Sequence, residues 1–472
     1  MKKYILSSIL MATALLTSGC SDWFDVSPKT DIKAEELFTT ENGFRSALAG
    51  LYISMTDDDA YGDNLSFGML DQMAQLYDMI PDGTTSRDAI YIYDVHTNGY
   101  DTKTKLERSW LKAYNIIANC NNLLKWLDAN GAEVIRSSQD RDNLRAEALA
   151  IRAYLHFDLL RGWGPIYKND STARCIPYRT AADASRQPLL TANEVAHKVL
   201  NDLNEAMRLL SYEKNLSLAA DKERRFRFNY HAVEALMARV YCWMDDADNA
   251  VLHAQNVIAN SGLTLQTSNA GDPVLFNECL CALNLYRMSD NMSAKFAEGP
   301  KFTTQYYIGT QSLNTIFEST GTSSDVDFRA KSAAFIRYDA QQQAISRKYI
   351  DNPNGAIPLI RLPEMYYILA QMSPLEEGAK YVNAVRNARG YSTSTNISEF
   401  FDELYRDDVM DAEVRKEFYA EGQYFFFLKQ HEITWFYNCP AGFSAEKFVF
   451  PLPDAEIEYG WTADSATQET DK

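Results

Sequence analysis

Histidine is scarce in this chain, with 6 among 472 residues, and the six are scattered. They offer no His-rich metal tract, and His431-Glu432 is followed by Trp435 where a metalloprotease helix needs its second histidine. Cysteine is nearly as rare, at 7, and no CxxC pair occurs, which excludes zinc ribbons and a disulfide scaffold. There is no Gly-x-Ser-x-Gly elbow and no Gly-rich phosphate loop ending in Lys-Ser/Thr. Positive charge is also in deficit. Lys and Arg number 46 against 64 Asp and Glu, a formal charge of -18, which argues against nucleic acid and anionic membrane surfaces as partners. With 64 carboxylates, some pair always falls at glycosidase separation, so acidic pairs by themselves identify no hydrolase.

What the chain does have begins at its start. Lys2 and Lys3 precede a mostly apolar run, Ile5 to Leu16, and then Thr17-Ser18-Gly19-Cys20. The run is too short to span a bilayer and reads as a secretory signal over residues 1–19. Ser18-Gly19-Cys20 fits a lipoprotein signal, in which Cys20 becomes the acylated mature N-terminus; an ordinary cut near Gly19 is the other reading. Residues 20–36 then form a polar tether. Beyond Cys20, the six cysteines Cys120, Cys175, Cys242, Cys279, Cys281 and Cys439 leave their pairing open, with Cys120 and Cys242 inside helical apolar patterns.

Helical periodicity dominates residues 37–261. Thr40 caps a helix carrying Phe44, Ala47, Leu48, Leu51 and Tyr52 on one face. Trp110, Tyr114, Ile117, Asn121 and Leu124 mark a second helix, and Leu144 to Leu159 a third that should end before Gly162-Trp163-Gly164-Pro165. Thr191-Ala192-Asn193-Glu194 is a capping box. Residues 230–258 hold two helical stretches with Ala238, Tyr241 and Ala250 in tetratricopeptide-like positions. A similar pair recurs in residues 358–472, at Leu362 to Ala370 and at Pro374 to Arg389, the latter capped by Ser373 with Glu376 and closed by Gly390. Residues 262–357 lack sustained periodicity and read as long loops with a few short strands, the kind of segment where binding resides. From Trp435 to Gly460, alternation and Pro451-Leu452-Pro453 predict a small hairpin and an extended strap. The fold class is thus mainly α, a scaffold of helical pairs decorated by irregular loops.

Two loop features point to ligands. Asp57, Asp59 and Gly62 match three positions of a calcium loop, but Tyr61 and Gly68 replace two others, so Asp57 and Asp59 are weak candidates for a structural calcium and no other cofactor is called for. Aromatic residues make up 12% of the chain, and many fall outside helical stripes. Tyr61, Phe67, Tyr77, Tyr91, Tyr93 and Tyr100 lie in an early loop-rich stretch, and Tyr286, Phe302, Tyr306, Tyr307 and Phe317 in a later one. Flat rings stack on sugar faces while Asp, Asn and Arg bond hydroxyls, and peptides suit the same surface. Tyr77, Tyr91, Tyr93, Tyr100, Phe302, Tyr306 and Tyr307 are the candidate ligand contacts.

Four blocks resemble the SusD/RagB family of Bacteroidota surface lipoproteins. They are Phe38 to Tyr52; Arg145 to Tyr154 with Phe157-Asp158-Leu159-Leu160-Arg161-Gly162-Trp163-Gly164; Arg361-Leu362-Pro363-Glu364-Met365-Tyr366 with Val382 to Arg386; and Glu413 to Phe418, Glu421-Gly422 and Pro451 to Ile457. After Glu421-Gly422 the chain departs from the family, with Tyr424 and Phe427-Leu428 where a charge pair is common, so aromatic packing should replace it. The resemblance implies a helical scaffold, no catalysis, and a surface-facing, lipid-anchored place on the outer membrane. It also implies a SusC-like TonB-dependent barrel as partner and a nutrient ligand. Oligosaccharide capture is the leading expectation. Peptide capture, a surface glycoside hydrolase and a purely structural lid are its rivals.

Overall fold

The computed structural model describes residues 34–78, 89–95, 101–269, 271–296, 306–320 and 326–459. Cys20, the signal, Tyr100 and Phe302 lie outside these residues.

Side-chain caps start most of the long helices. Thr40 accepts from the Gly43 N–H at 3.1 Å and opens α1 (Glu41–Met55), which buries Phe44, Leu48, Leu51 and Met55. Helix α2 spans Asp101–Ala129, and Ser137 caps α3 (Ser138–Trp163). Helix α3 continues through Gly162 and Trp163, past the expected stop. It ends at Gly164, whose extended backbone is what a residue before proline prefers. The Thr191–Glu194 capping box forms as expected and opens α4 (Ala192–Leu209). Asn229 and Asp246 cap α5 (Tyr230–Trp243) and α6 (Ala247–Asn260). Helices α7 (Leu362–Met372) and α8 (Leu375–Ala388) follow, then α9 (Glu403–Glu417) and α10 (Gln423–Gln430). The capping box expected of Ser373 and Glu376 does not form. Extended Pro374 takes the cap position and its carbonyl accepts from the Glu377 and Gly378 N–H groups.

From α2 to α8 each helix packs on the next, including α6 on α7, which are remote in sequence. The segment between them is therefore an excursion that leaves one helix and returns to its neighbour. A short antiparallel pair, β1 (Arg174–Ile176) and β2 (Leu190–Thr191), precedes α4, and the excursion carries strand β3 (Cys279–Asn284), a three-stranded sheet in the order β4 (Ile308–Gly309), β6 (Gln343–Ser346), β5 (Phe335–Tyr338), and β7 (Ala356–Arg361), which pairs antiparallel with β3. The expected C-terminal hairpin is absent among the described residues. The tail's polar groups go elsewhere: Phe450 N–H donates to Gly162 O at 3.1 Å, and Trp163 Nε1 donates to Pro451 O at 2.9 Å. A short helix, Asp454–Tyr459, ends the described chain. All six described cysteines are free. Among the described residues no helix is long and apolar enough to cross a membrane.

Most residues that carry the family resemblance are interior ties. Glu147 accepts from Tyr52 Oη at 2.7 Å and from Arg227 Nε at 2.8 Å, and Arg152 forks onto Asp202 with two bonds of 2.7 Å, joining α3 to α4. Gly422 sits at φ +74, and a Cβ there would lie 2.5 Å from Ser66 O, so only glycine fits. Tyr424 is buried, donates to Asp411 Oδ1 at 2.6 Å and stacks on Phe427, the aromatic packing expected there.

A buried charge cluster fastens the excursion to the scaffold. Arg389 grips Glu278 with two bonds of 2.8 Å and reaches Glu417 at 2.8 Å. Arg361 contacts Glu417 at 2.6 Å and Glu421 at 2.8 Å, and Arg329 contacts Glu417 at 2.7 Å. Burial alone would raise the Glu417 carboxyl, but Arg389, Arg361 and Arg329 hold it well below its ordinary value. Removing this one carboxylate charge leaves three guanidinium groups undercompensated. Glu417→Gln should therefore cost about 3–5 kcal/mol in a denaturant titration, far more than an exposed Glu→Gln change.

His156 generates a pH prediction. It is buried, its Nδ1 faces Arg152 O at 2.9 Å, and its Nε2 accepts from Arg179 N–H at 3.0 Å. Burial lowers its pKa from 6.5 to about 3. The unfolded chain therefore takes up a proton that the native state refuses, and the stability from neutral His156 is complete above pH 6.5 and lost on acidification. Between pH 6.5 and 5, above the usual carboxylate range, the fall in stability from this group should steepen toward about 1.4 kcal/mol per pH unit. Chemical denaturation should show a steeper fall in the wild type than in His156→Gln, which retains the part due to His231, another histidine whose pKa burial lowers.

Candidate functional site

The early and late aromatic stretches meet in space, but they meet inside the protein. Tyr77 stacks on Tyr306 with centroids 4.9 Å apart, and the two are 1% and 0% exposed. Tyr306 Oη donates to Asp63 Oδ1 at 2.6 Å, and Tyr93 Oη donates to Met73 O at 2.7 Å. Tyr91 and Tyr307 are buried too, and the Asp78 N–H donates to Tyr307 O at 3.0 Å. These five rings are therefore reassigned from ligand platform to core. Both of their faces are covered by protein, because aromatic area gains more from packing than from water.

The acidic loop of the calcium pattern is served by lysines. Lys112 Nζ lies 2.8 Å from Asp57 Oδ2, while the other oxygen of Asp57 accepts from the Asp59 N–H at 3.0 Å. Lys295 Nζ sits 2.6 Å from Asp58, 3.0 Å from Asp63 and 3.2 Å from Gly62 O. Ammonium groups from α2 and from the excursion thus occupy the places around these carboxylates. Among the described residues no group of three or more His, Cys, Asp or Glu is arranged to hold a metal ion.

The exposed aromatic surface lies elsewhere. Trp435 is 88% exposed and Tyr286 79%. Tyr286 belongs to an open cleft of about 590 Å³ at the free end of the β3/β7 ribbon. At the other end of this ribbon Arg361 enters the charge cluster, so the ribbon is held at its base and its tip faces solvent. At the tip, Asn284 Nδ2 donates to Asn354 O at 3.0 Å, Leu285 N–H donates to Gly355 O at 2.7 Å, and Asn352 Nδ2 bonds Ala356 O at 2.8 Å. Asn354 Nδ2 approaches Asp272 Oδ2 at 3.4 Å. Burial raises the Asp272 carboxyl above its ordinary value, opposed by the N–H groups of Phe276, Val274 and Leu275. Asn291 Nδ2 holds Tyr286 O at 3.0 Å, and the buried Met288 and Met292 pin the following turn. Arg287 adopts the left-handed conformation, φ 52 and ψ 46, and its guanidinium stands 5.8 Å from the Tyr286 ring centre. An open apolar ring is thus bordered by amide, carboxylate and guanidinium groups, an arrangement suited to holding a hydroxylated chain.

Sequence reasoning grouped Tyr286 with the loop aromatics but did not select it. No local signal marks it out, since Leu285 precedes it and apolar Met288 lies two residues on.

Residues 22–242 match a SusD-like family model described as "Starch-binding associating with outer membrane". A SusD-like protein of Bacteroides ovatus is 24% identical over 279 residues, which are 55% of this chain and 45% of that protein. SusD-like protein P2 of Formosa agariphila is 27% identical over 269 residues, 55% of this chain and 47% of its own length. The chain thus spans about half the length of the curated relatives it matches. The whole fold also has solved counterparts. A SusD superfamily protein of Bacteroides thetaiotaomicron superposes with a TM-score of 0.70 at 21% identity, covering 89% of this chain and 98% of that one. A SusD-like carbohydrate binding protein of Bacteroides vulgatus gives 0.66 at 17% identity, covering 89% and 96%. Residues 22–242 thus resemble the SusD-like family in sequence, and the helical array shares the fold of these solved structures.

Proposed function

We propose that this protein captures carbohydrate without transforming it, and that the Tyr286 cleft is where the ligand binds. The observation that carries this reading is the bare Tyr286 ring, bordered by Asn284, Asn354 and Arg287 on a ribbon anchored in the core. Sugar–aromatic stacking uses that ring face, and the amides bond hydroxyls. The description of the matching family and the carbohydrate-binding solved relative support the ligand class. Such an open site favours modest affinity, because little area leaves water. On this reading Cys20 carries the lipid that holds the body at the outer membrane, and a SusC-like barrel receives the cargo.

Isothermal calorimetry against panels of oligosaccharides and peptides tests the assignment. A polysaccharide-derived oligomer should bind, and Tyr286→Ala should weaken it about tenfold, roughly 1.4 kcal/mol, with an unchanged melting temperature because the ring is exposed. Alanine at buried Tyr306 should lower the melting temperature instead. Binding confined to peptides, or product release by protein freed of trace enzymes, would refute the carbohydrate-capture reading. For the anchor, Cys20→Ala should yield protein that still binds ligand but fractionates away from membranes.

A further inference from the structure

The ribbon tip that presents Tyr286 also carries Asn284, Asn352 and Asn354, and the residue after each decides what its side chain can undergo. A backbone nitrogen can attack the carboxamide of the residue before it. Ring closure is easiest where that nitrogen belongs to glycine, which has no Cβ in the way. Asn284 precedes Leu285, whose side chain crowds the approach and whose N–H is taken by Gly355 O at 2.7 Å. Asn352 precedes Pro353, which has no N–H to give up. Asn354 precedes Gly355.

Two other Asn-Gly pairs lie among the described residues, and both are held. Gly43 N–H sits in the first turn of α1 and donates to Thr40 O at 3.0 Å and to Thr40 Oγ1 at 3.1 Å. Asn130 is fixed through Nδ2 to Phe38 O at 2.9 Å, and Gly131 is buried. At the tip, Gly355 lies at φ +59 in the turn before β7, and its N–H has a long bond of 3.2 Å to Asn352 O. Asn354 Nδ2, the group that must leave, stands 3.4 Å from Asp272 Oδ2. Burial raises the Asp272 carboxyl, so it keeps a proton to higher pH than an exposed aspartate does. Nucleophile, carboxamide carbon and acid thus adjoin at the open cleft.

We propose that Asn354 is a self-modification site: it deamidates through a succinimide formed with Gly355, and the carboxylate it leaves weakens the cleft's hold on ligand. The Gly355 nitrogen gives its proton to water and bonds to Asn354 Cγ. The Cγ–Nδ2 bond breaks, and Nδ2 takes a proton from Asp272 and departs as ammonia; Asp272 recovers its proton from solvent. Water then opens the ring at either carbonyl, leaving aspartate or isoaspartate. Water is consumed, ammonia is released, and nothing is oxidised or reduced. The new carboxylate faces Asp272 where an amide donor stood, and isoaspartate also lengthens the main chain by a methylene, which pulls Asn354 O from Asn284 Nδ2. The chemical step stands without the carbohydrate reading, and the effect on ligand rests on it.

The test ages the full-length protein in warm, mildly alkaline buffer and maps it by peptide mass spectrometry, with isoaspartyl methyltransferase labelling to separate the two products. Asn354 should convert about tenfold faster than Asn42 and Asn130. Asp272→Asn should slow it by a similar factor without moving Asn42 or Asn130, and Asn354→Gln, whose longer side chain closes the ring poorly, should abolish it. In calorimetry with the oligosaccharide that the wild type binds, Asn354→Asp should bind about tenfold more weakly. Three results would overturn the proposal: Asn354 converting no faster than Asn42 or Asn130, a rate unmoved in Asp272→Asn, or Asn354→Asp holding ligand as tightly as the wild type. A wild type that binds no sugar sinks carbohydrate capture instead, and the conversion rates still decide the modification.

Discussion

The placement of the β3/β7 ribbon depends on Glu417. Its carboxylate is shared by Arg329 from the excursion, Arg361 at the start of α7 and Arg389 at the end of α8, while Arg389 and Arg361 also hold Glu278 just before β3. Buried charges of this kind add little net stability over an apolar core of the same shape. What they supply is position. A guanidinium fork satisfies two carboxylates only in one arrangement, so three segments distant in the chain meet in a single register.

The ribbon that presents Tyr286 inherits that register. Arg361 is both the last residue of β7 and a member of the cluster, so one end of the ribbon is immobilised by charge and the other is released to solvent. The second fastening is the contact of the acidic 57–63 turn with Lys295 and Tyr306, which clamps the early loops to the later ones. Between these two fastenings the excursion becomes part of the body, and most of its tyrosines become packing. Among the described residues, the ribbon tip keeps an aromatic ring open to solvent.

Local rules carried the sequence reading where chemistry is local. Thr40 and the Thr191–Glu194 box start helices because a side chain three residues away is always within reach of an orphan N–H. The same reasoning misplaced the start of α8 by one residue, since Pro374 could not be told from a first helical residue without its backbone angles. It also built a hairpin at the C-terminus, where alternation is real but the polar groups are satisfied by the end of α3. Family blocks such as Glu413 to Phe418 and Glu421-Gly422 were legible as a pattern. That their charges form one buried cluster was not.

By itself the sequence determined the mainly helical class, the succession of helix pairs, and the aperiodic stretch between them, because periodicity and caps are written within a few residues. Which aromatic rings face outward was decided only in three dimensions. Tyr77 and Tyr306 have the neighbours of a binding loop in sequence, yet each covers the other from a segment more than two hundred residues away. Asp57 likewise meets Lys112 of α2, a partner no loop pattern announces. Aperiodic segments carry no internal rule for inside and outside. Their faces are assigned by what packs against them, and that is a property of the fold.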